Sequence, residues 1–124
     1  MSTNDDIQLE PIYEGDYKPP FNGSLHLSYP IKILEDLYSR RLNHPEFMIL
    51  SFIMSRYGWK NIIPPIVTNK DISEFLNIKD SSTRAILSKL KKYNYIVPEG
   101  YGNNRVIRIP LYEKMLTDYY SKQK

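Results

Sequence analysis

The stretch from Thr68 to Pro110 constrains the fold more than any other part of the chain. Its sequence is TNKDISEFLNIKDSSTRAILSKLKKYNYIVPEGYGNNRVIRIP. The spacing of its apolar residues predicts a short helix, a tight turn, a second and more basic helix, and then a β-hairpin. Two helices joined by so few residues must cross sharply, and both must bury one side on the preceding helix. We therefore expect an α+β fold that is mostly α-helical.

The first helix of this pair has recognisable signals at both ends. Thr68 and Asp71 have the spacing of an N-terminal capping box. Asn77 can end the helix in the left-handed conformation, and Ile78 can supply the apolar contact that usually follows. The apolar side between these signals is formed by Ile72, Phe75 and Leu76. The signals predict a helix of about two turns.

The second helix is predicted over about residues 82–93, capped by Asp80, Ser81 or Ser82. At about 100° per residue, its core-facing side comprises Thr83, Ile86, Leu87 and Leu90. The opposite side comprises Ser81, Arg84, Ala85, Ser88, Lys89 and Lys92, with Lys91 at its margin. No acidic residue occurs from Ser81 to Asn94, whereas a helix face that only contacts water usually mixes both signs. The face is either an anion-binding surface or a basic face exposed to solvent.

The hairpin is predicted over about residues 95–109, with its loop at residues 98–104. Alternation places Ile107 and Ile109 on one face with Arg105, and Val106 and Arg108 on the other. Gly100, Gly102, Asn103 and Asn104 supply turn residues with little bulk. The tip could lie along a phosphate backbone or enter a minor groove, or it could be a plain exposed hairpin.

A helix-turn-helix followed by a hairpin is the arrangement of winged-helix DNA-binding domains, which makes double-stranded DNA the expected partner. The second helix would then be the recognition helix in the major groove, and the hairpin would be the wing. Arg84 is the best candidate for a base contact, because its planar fork can bind guanine O6 and N7 together. Lysines near the helix end would contact phosphates. The candidate DNA-binding residues are Thr68, Lys70, Ser81, Ser82, Arg84, Ala85, Ser88, Lys89, Lys91, Lys92, Asn103, Asn104 and Arg105.

Charge is unevenly distributed along the chain. Residues 1–17 carry five acidic side chains and no Lys or Arg, so the other 17 basic and 9 acidic residues give residues 18–124 a net charge of +8. A basic body indicates a polyanionic partner. Residues 1–24 are predicted to be a flexible, Pro-containing arm, and Leu25-His26-Leu27 could add a short strand. The arm is either a solvated tail or a segment that competes with DNA for the basic face.

The remaining elements are predicted to support residues 25–110 as one domain. A helix over residues 31–42 would bury Ile31, Leu34, Leu37, Tyr38 and Leu42. Asn43 can cap the next helix, from about Pro45 to Tyr57, which is apolar nearly all round, is expected at the centre of the core and would end at Gly58. Residues 62–67 contain two prolines and allow at most a short edge strand. A last helix within residues 111–124 can pack on its own domain or form a homodimer.

Several classes of protein are excluded by what the sequence lacks. It contains no Cys, no apolar run of the ~20 residues needed to cross a membrane, and no signal peptide at its N-terminus. Its two His residues have no ligand-spaced partners, and no cluster of carboxylates is visible. We therefore expect no cofactor, no metal, no enzymatic activity, no membrane partner, and a cytoplasmic, DNA-associated location.

The order of these motifs resembles the N-terminal DNA-binding domain of phage replication protein O. The matching segments, within about residues 25–115, are Tyr57-Gly58-Trp59-Lys60-Asn61 after MILSFIMSR, then VTNKDISEFLNI, STRAILSKLKKYNYI and VIRIPLYEKM. The resemblance implies a winged helix that recognises repeated sites in a phage or plasmid replication origin, with replication proteins as further partners. Transcription regulators, including MarR-like ones, share the same element order, and winged helices also serve as protein-docking domains. These functions stay open as alternatives.

Overall fold

The computed structural model describes residues 28–58 and 61–122, and this part of the chain is α+β and mostly helical, as predicted. Its helices are α1 (Ile31–Tyr38), α2 (His44–Ser55), α3 (Asn69–Leu76), α4 (Asp80–Lys92) and α5 (Pro110–Ser121). Between α4 and α5, strands β1 (Val97–Glu99) and β2 (Val106–Arg108) form an antiparallel hairpin. The predicted arm at residues 1–24, the strand at Leu25-His26-Leu27, and Trp59 and Lys60 of the Tyr-Gly-Trp segment lie outside the described residues.

Helix α2 lies at the centre of the core, as its composition predicts. Its side chains from Ile49 to Met54 are buried. The predicted cap is confirmed, because the Asn43 side chain accepts from the Glu46 N–H while Glu46 accepts from the Asn43 N–H. The predicted end at Gly58 is wrong: the helix ends at Ser55, and Gly58 instead pairs with Ile63 through backbone hydrogen bonds in both directions.

Helix α1 presents a different face to the core than its periodicity predicts. Ile31, Leu34 and Tyr38 are exposed, whereas Ile33 and Asp36 are buried. The rotation follows from Asp36, whose carboxylate accepts from the Tyr95 hydroxyl within the fold. The helix also ends at Tyr38, four residues before the predicted end, because the Asp36 carbonyl accepts from the backbone N–H groups of residues 41 and 42.

Helices α3 and α4 form the predicted pair with a short connection. The Thr68–Asp71 capping box is present, and Asn77 ends α3 in the left-handed region at φ 57°. The predicted cap of α4 is wrong: Lys79 occupies that position without a side-chain cap bond, so the helix starts earlier and includes Asp80. Ser73 of α3 and Thr83 of α4 are both buried, and their hydroxyl oxygens lie 2.8 Å apart. This hydrogen bond fixes the two helices against each other at their crossing.

The hairpin pairs Pro98 with Ile107. Its first strand lies two residues later than predicted and includes Pro98 and Glu99 of the predicted loop, and its second strand is shorter than the predicted 105–109. Its first strand begins at Val97 and not at Tyr95, because residues 95 and 96 turn into the protein, where Ile96 is fully buried. On the other side of β2, Ile66 forms an isolated bridge with Val106, so residues 62–67 supply no more than the expected edge pairing. The alternation is confirmed, since Ile107 and Ile109 are both fully buried.

Helix α5 packs against its own domain. Tyr112 and Leu116 are buried in the core, and Leu111, Met115 and Tyr120 pack against it. In the part of the chain that the structure describes, no helix has both the length and the apolar composition needed to cross a membrane.

Candidate nucleic-acid interface

The outward face of α4 is open to solvent along its whole length. The predicted contact residues Ser81, Ser82, Arg84, Ala85, Ser88, Lys89, Lys91 and Lys92 are all exposed. The predicted core side is confirmed, because Thr83, Leu87 and Leu90 are buried and Ile86 packs against the core. Helix α4 is thus held by one side and presents the other, which is the geometry needed to enter a groove.

Three cations of this face are available to a ligand. Arg84, Lys91 and Lys92 form no ion pair within residues 28–58 and 61–122. The Lys92 ammonium lies 5.7 Å from the centroid of the Tyr93 ring. Because α4 starts earlier than predicted, exposed Asp80 adds one acid in the first turn, where a carboxylate stabilises the positive end of the helix dipole.

Lys89 differs from these three, because its ammonium lies 2.7 Å from a carboxylate oxygen of Glu46. The Glu46 side chain is 2% exposed and also accepts from the Asn43 N–H. The hydrogen bond to Glu46 raises the pKa of Lys89. The sequence gives no sign of this pairing, which joins the last turn of α4 to the first turn of α2. Lys89 therefore has a binding partner inside the protein, unlike the other predicted phosphate contacts.

The two candidates before and within α3 have different surroundings. The Thr68 hydroxyl accepts from the Asp71 N–H, and the Asp71 carboxylate accepts from the Thr68 N–H. The hydrogen bond from the Thr68 backbone N–H, ahead of the contribution of the Thr68 side chain, lowers the pKa of Asp71. The exposed Lys70 forms no ion pair in the described part of the chain. Thr68 thus caps the start of α3. Lys70, in the first turn, is exposed and has no ion-pair partner among the described residues.

The hairpin loop presents Asn103 and Asn104 to solvent in a short 3-10 turn. Gly100 precedes this turn at φ 89°, and a Cβ there would lie 3.3 Å from the Asn104 carbonyl oxygen. Arg105, the third candidate of the loop, turns inward and donates from Nη2 to the Val67 carbonyl at 2.7 Å. Burial lowers the pKa of Arg105. Its guanidinium joins the hairpin to residues 62–67, here called the edge segment. The sequence does not reveal this contact.

A polar network fixes the hairpin on α5. Arg108 of β2 binds Glu99 of β1 at 3.1 Å and Glu113 of α5 at 3.0 Å. Tyr57, just after α2, donates its hydroxyl to Glu113 and accepts the Ile109 N–H, both at 2.7 Å. Burial raises the pKa of Tyr57, so the hydroxyl keeps the proton that it donates. The network sets where the hairpin lies relative to the helices, and its partners are too far apart in sequence to be recognised from spacing.

The described residues include no group of three or more His, Cys, Asp or Glu side chains that could hold a metal ion. Comparison with protein-family models, with curated proteins and with solved structures gives no match to this chain.

Proposed function

We propose that this protein is a winged-helix domain that binds double-stranded DNA in a sequence-specific manner, with α4 in the major groove and the hairpin as its wing. The observation that carries the proposal is the outward face of α4. It is exposed from end to end and carries Arg84, Lys91 and Lys92, which form no ion pair with any residue that the structure describes. A helix anchored by its opposite side loses little freedom when it enters a groove, because it is already ordered.

The start of this face would contact bases, and its end would contact phosphates. Ser81 and Ala85 are small and let the backbone come close to the bases, and Arg84 between them can bind the O6 and N7 atoms of a guanine. Lys91 and Lys92, at the other end, reach phosphates and supply affinity that falls with salt. Lys89 contributes less to these phosphate contacts than its two neighbours, because it is paired with Glu46.

The wing supplies a second contact through Asn103 and Asn104, which are exposed at its tip. Amide side chains at this position can bind a phosphate or enter a minor groove. Arg105 acts from inside, since its hydrogen bond to the Val67 carbonyl holds the loop against the edge segment.

The resemblance to phage replication protein O supports sites in a replication origin as the target. The resemblance rests partly on Tyr57, whose hydroxyl joins α2 to the start of α5 in this fold. Transcription control is the alternative, and it would use the same surface in the same way.

Selection from a pool of random duplexes, followed by sequencing of the bound fraction, tests the proposal. We expect an enriched motif at moderate salt. Arg84→Ala should relax the preference at one G·C pair, with a loss of about 1–3 kcal/mol of discrimination there. Lys114→Ala on α5 is the matched control, since it also removes an exposed cation. Absence of any enriched motif, or equal effects of the two substitutions, would contradict the proposal.

Protein docking is a second candidate, favoured by an apolar stripe on α1. Ile31 is 72% exposed, Tyr38 is 92% exposed, and Leu34 lies between them at helical spacing. If the folded protein binds no duplex, or if Arg84→Ala leaves duplex binding unchanged, the docking function becomes the better explanation.

A further inference from the structure

A half-open pocket of about 530 Å³ lies at the end of α4, on the flank away from Lys91. Its walls come from α1, from the connection between α1 and α2, from the first turn of α2, from α4 and the residues that follow it, and from α5. A pocket of this volume is large enough for a small organic molecule. The proposed DNA contact shares only Lys89 with this pocket, because the walls contain no other outward residue of α4.

The charged groups of the pocket are arranged in two layers. Asp36 and Glu46 form the inner layer, with side chains 4% and 2% exposed. Lys32 lies 3.1 Å from Asp36, and Lys89 lies 2.7 Å from Glu46, and both lysines are about half exposed. Arg41, also exposed, forms no ion pair with the described residues. The inner carboxylates hold the two lysines in place, so that cations and not carboxylates face the opening.

The inner carboxylates are already satisfied. Asp36 accepts from the Tyr95 hydroxyl as well as from Lys32, and Glu46 accepts from the Asn43 N–H as well as from Lys89. Burial of Asp36 disfavours its ionised form, but these two donors outweigh burial and keep its pKa below the usual value. Each ammonium still has N–H donors to spare. A ligand that completes this layer must therefore bring hydrogen-bond acceptors, and an anionic acceptor is favoured because the pocket has three cations and two carboxylates.

Apart from Asn94, the rest of the pocket is formed by aliphatic and tyrosine side chains. Leu42 and Leu90 are buried at its base, and Leu111, Tyr93 and Tyr95 complete the wall. Inorganic phosphate would leave this surface in contact with water. An anionic group joined to an apolar body would cover both parts at once.

We propose that this pocket binds a small organic anion, a carboxylate or phosphate monoester carried on an aromatic or aliphatic body. The anionic group lies among Lys32, Arg41 and Lys89, and the body packs on Leu90, Leu111 and the tyrosine rings. Binding here does not require DNA, so the proposal stands or falls separately from the function of the α4 face.

A titration of the full chain with phenyl phosphate, followed by two-dimensional amide NMR, tests the proposal. We expect saturable shifts of the Leu90, Tyr95 and Leu111 amides. Inorganic phosphate and benzyl alcohol each supply half of the ligand, and both should bind at least about tenfold more weakly. Benzylamine, with the opposite charge, should produce no shifts in this pocket.

Arg41→Gln removes one cation of the pocket without breaking an ion pair of the described structure, so its fold should be retained. We expect it to weaken the binding of phenyl phosphate about tenfold. Lys122→Gln, just after α5, is the matched control, because it also removes an exposed cation that forms no ion pair with the described residues, and it should bind like the wild type. The proposal is wrong if Arg41→Gln binds like the control, if inorganic phosphate binds as tightly as phenyl phosphate, or if the largest shifts fall at Lys91 and Lys92.

Discussion

Replacing Tyr57 by Phe removes one oxygen atom from the polar network that joins α2, β2 and α5. The wild-type hydroxyl donates to Glu113 and accepts the buried Ile109 N–H. Glu113 keeps its two contacts with Arg108 in the variant, so losing the hydrogen bond from Tyr57 costs Glu113 little. The Ile109 N–H keeps no acceptor, and a buried donor without a partner costs about 1–3 kcal/mol. We therefore expect a loss of about 2 kcal/mol in the free energy of unfolding.

Urea unfolding followed by far-UV circular dichroism measures this loss. The midpoint should fall while the slope with urea stays unchanged, since the same surface is exposed on unfolding. Tyr38→Phe is the matched control, because the Tyr38 side chain is 92% exposed, and its change should stay within about 0.5 kcal/mol. If Tyr57→Phe is as stable as the control, the hydroxyl does not hold the hairpin on α5, and the reasoning is refuted.

Two further substitutions test other contacts. Thr68→Ala removes the side-chain acceptor at the start of α3 and should cost about 1 kcal/mol in urea unfolding, whereas Thr117→Ala, an exposed site within α5, should not destabilise the protein. Asp36→Asn tests the pH dependence of stability. Because the pKa of Asp36 is lowered in the folded state, its ionised carboxylate stabilises the fold above the unfolded pKa of about 4. This stabilisation is lost as the pH falls through the folded pKa. The wild type should therefore lose more stability than Asp36→Asn between neutral and acid pH, and parallel curves for the two proteins would contradict the assignment.

The parts of the fold that depend on nearby residues could be predicted from the sequence. The capping pairs at Asn43–Glu46 and Thr68–Asp71 span three residues, and the end of α3 at Asn77 depends on one residue in the left-handed region. The buried and exposed sides of α4 also followed from periodicity, because one apolar stripe leaves a single way to turn the helix.

Contacts between distant residues account for what the sequence did not reveal. The predicted core face of α1 was wrong because Asp36 is buried, where it accepts a hydrogen bond from the hydroxyl of Tyr95, 59 residues away in the chain. The inward turn of Arg105 depends on the Val67 carbonyl, 38 residues earlier. The pairing of Lys89 likewise depends on Glu46 of another helix. A polar residue on a helix gives no local sign of a partner that only the tertiary fold supplies, and this is why candidate contact residues were easier to find than their internal partners.

The salt dependence of duplex binding tests the central claim most directly. If Lys91 and Lys92 contact phosphates, replacing both by Gln should lower the slope of log K against log salt by about 1.8, since each contact contributes about 0.9. Lys114→Gln with Lys122→Gln on and after α5 makes the same change in net charge and should leave the slope unaltered. An equal slope for both double variants, measured on the selected duplex with folding verified, would contradict binding through the α4 face.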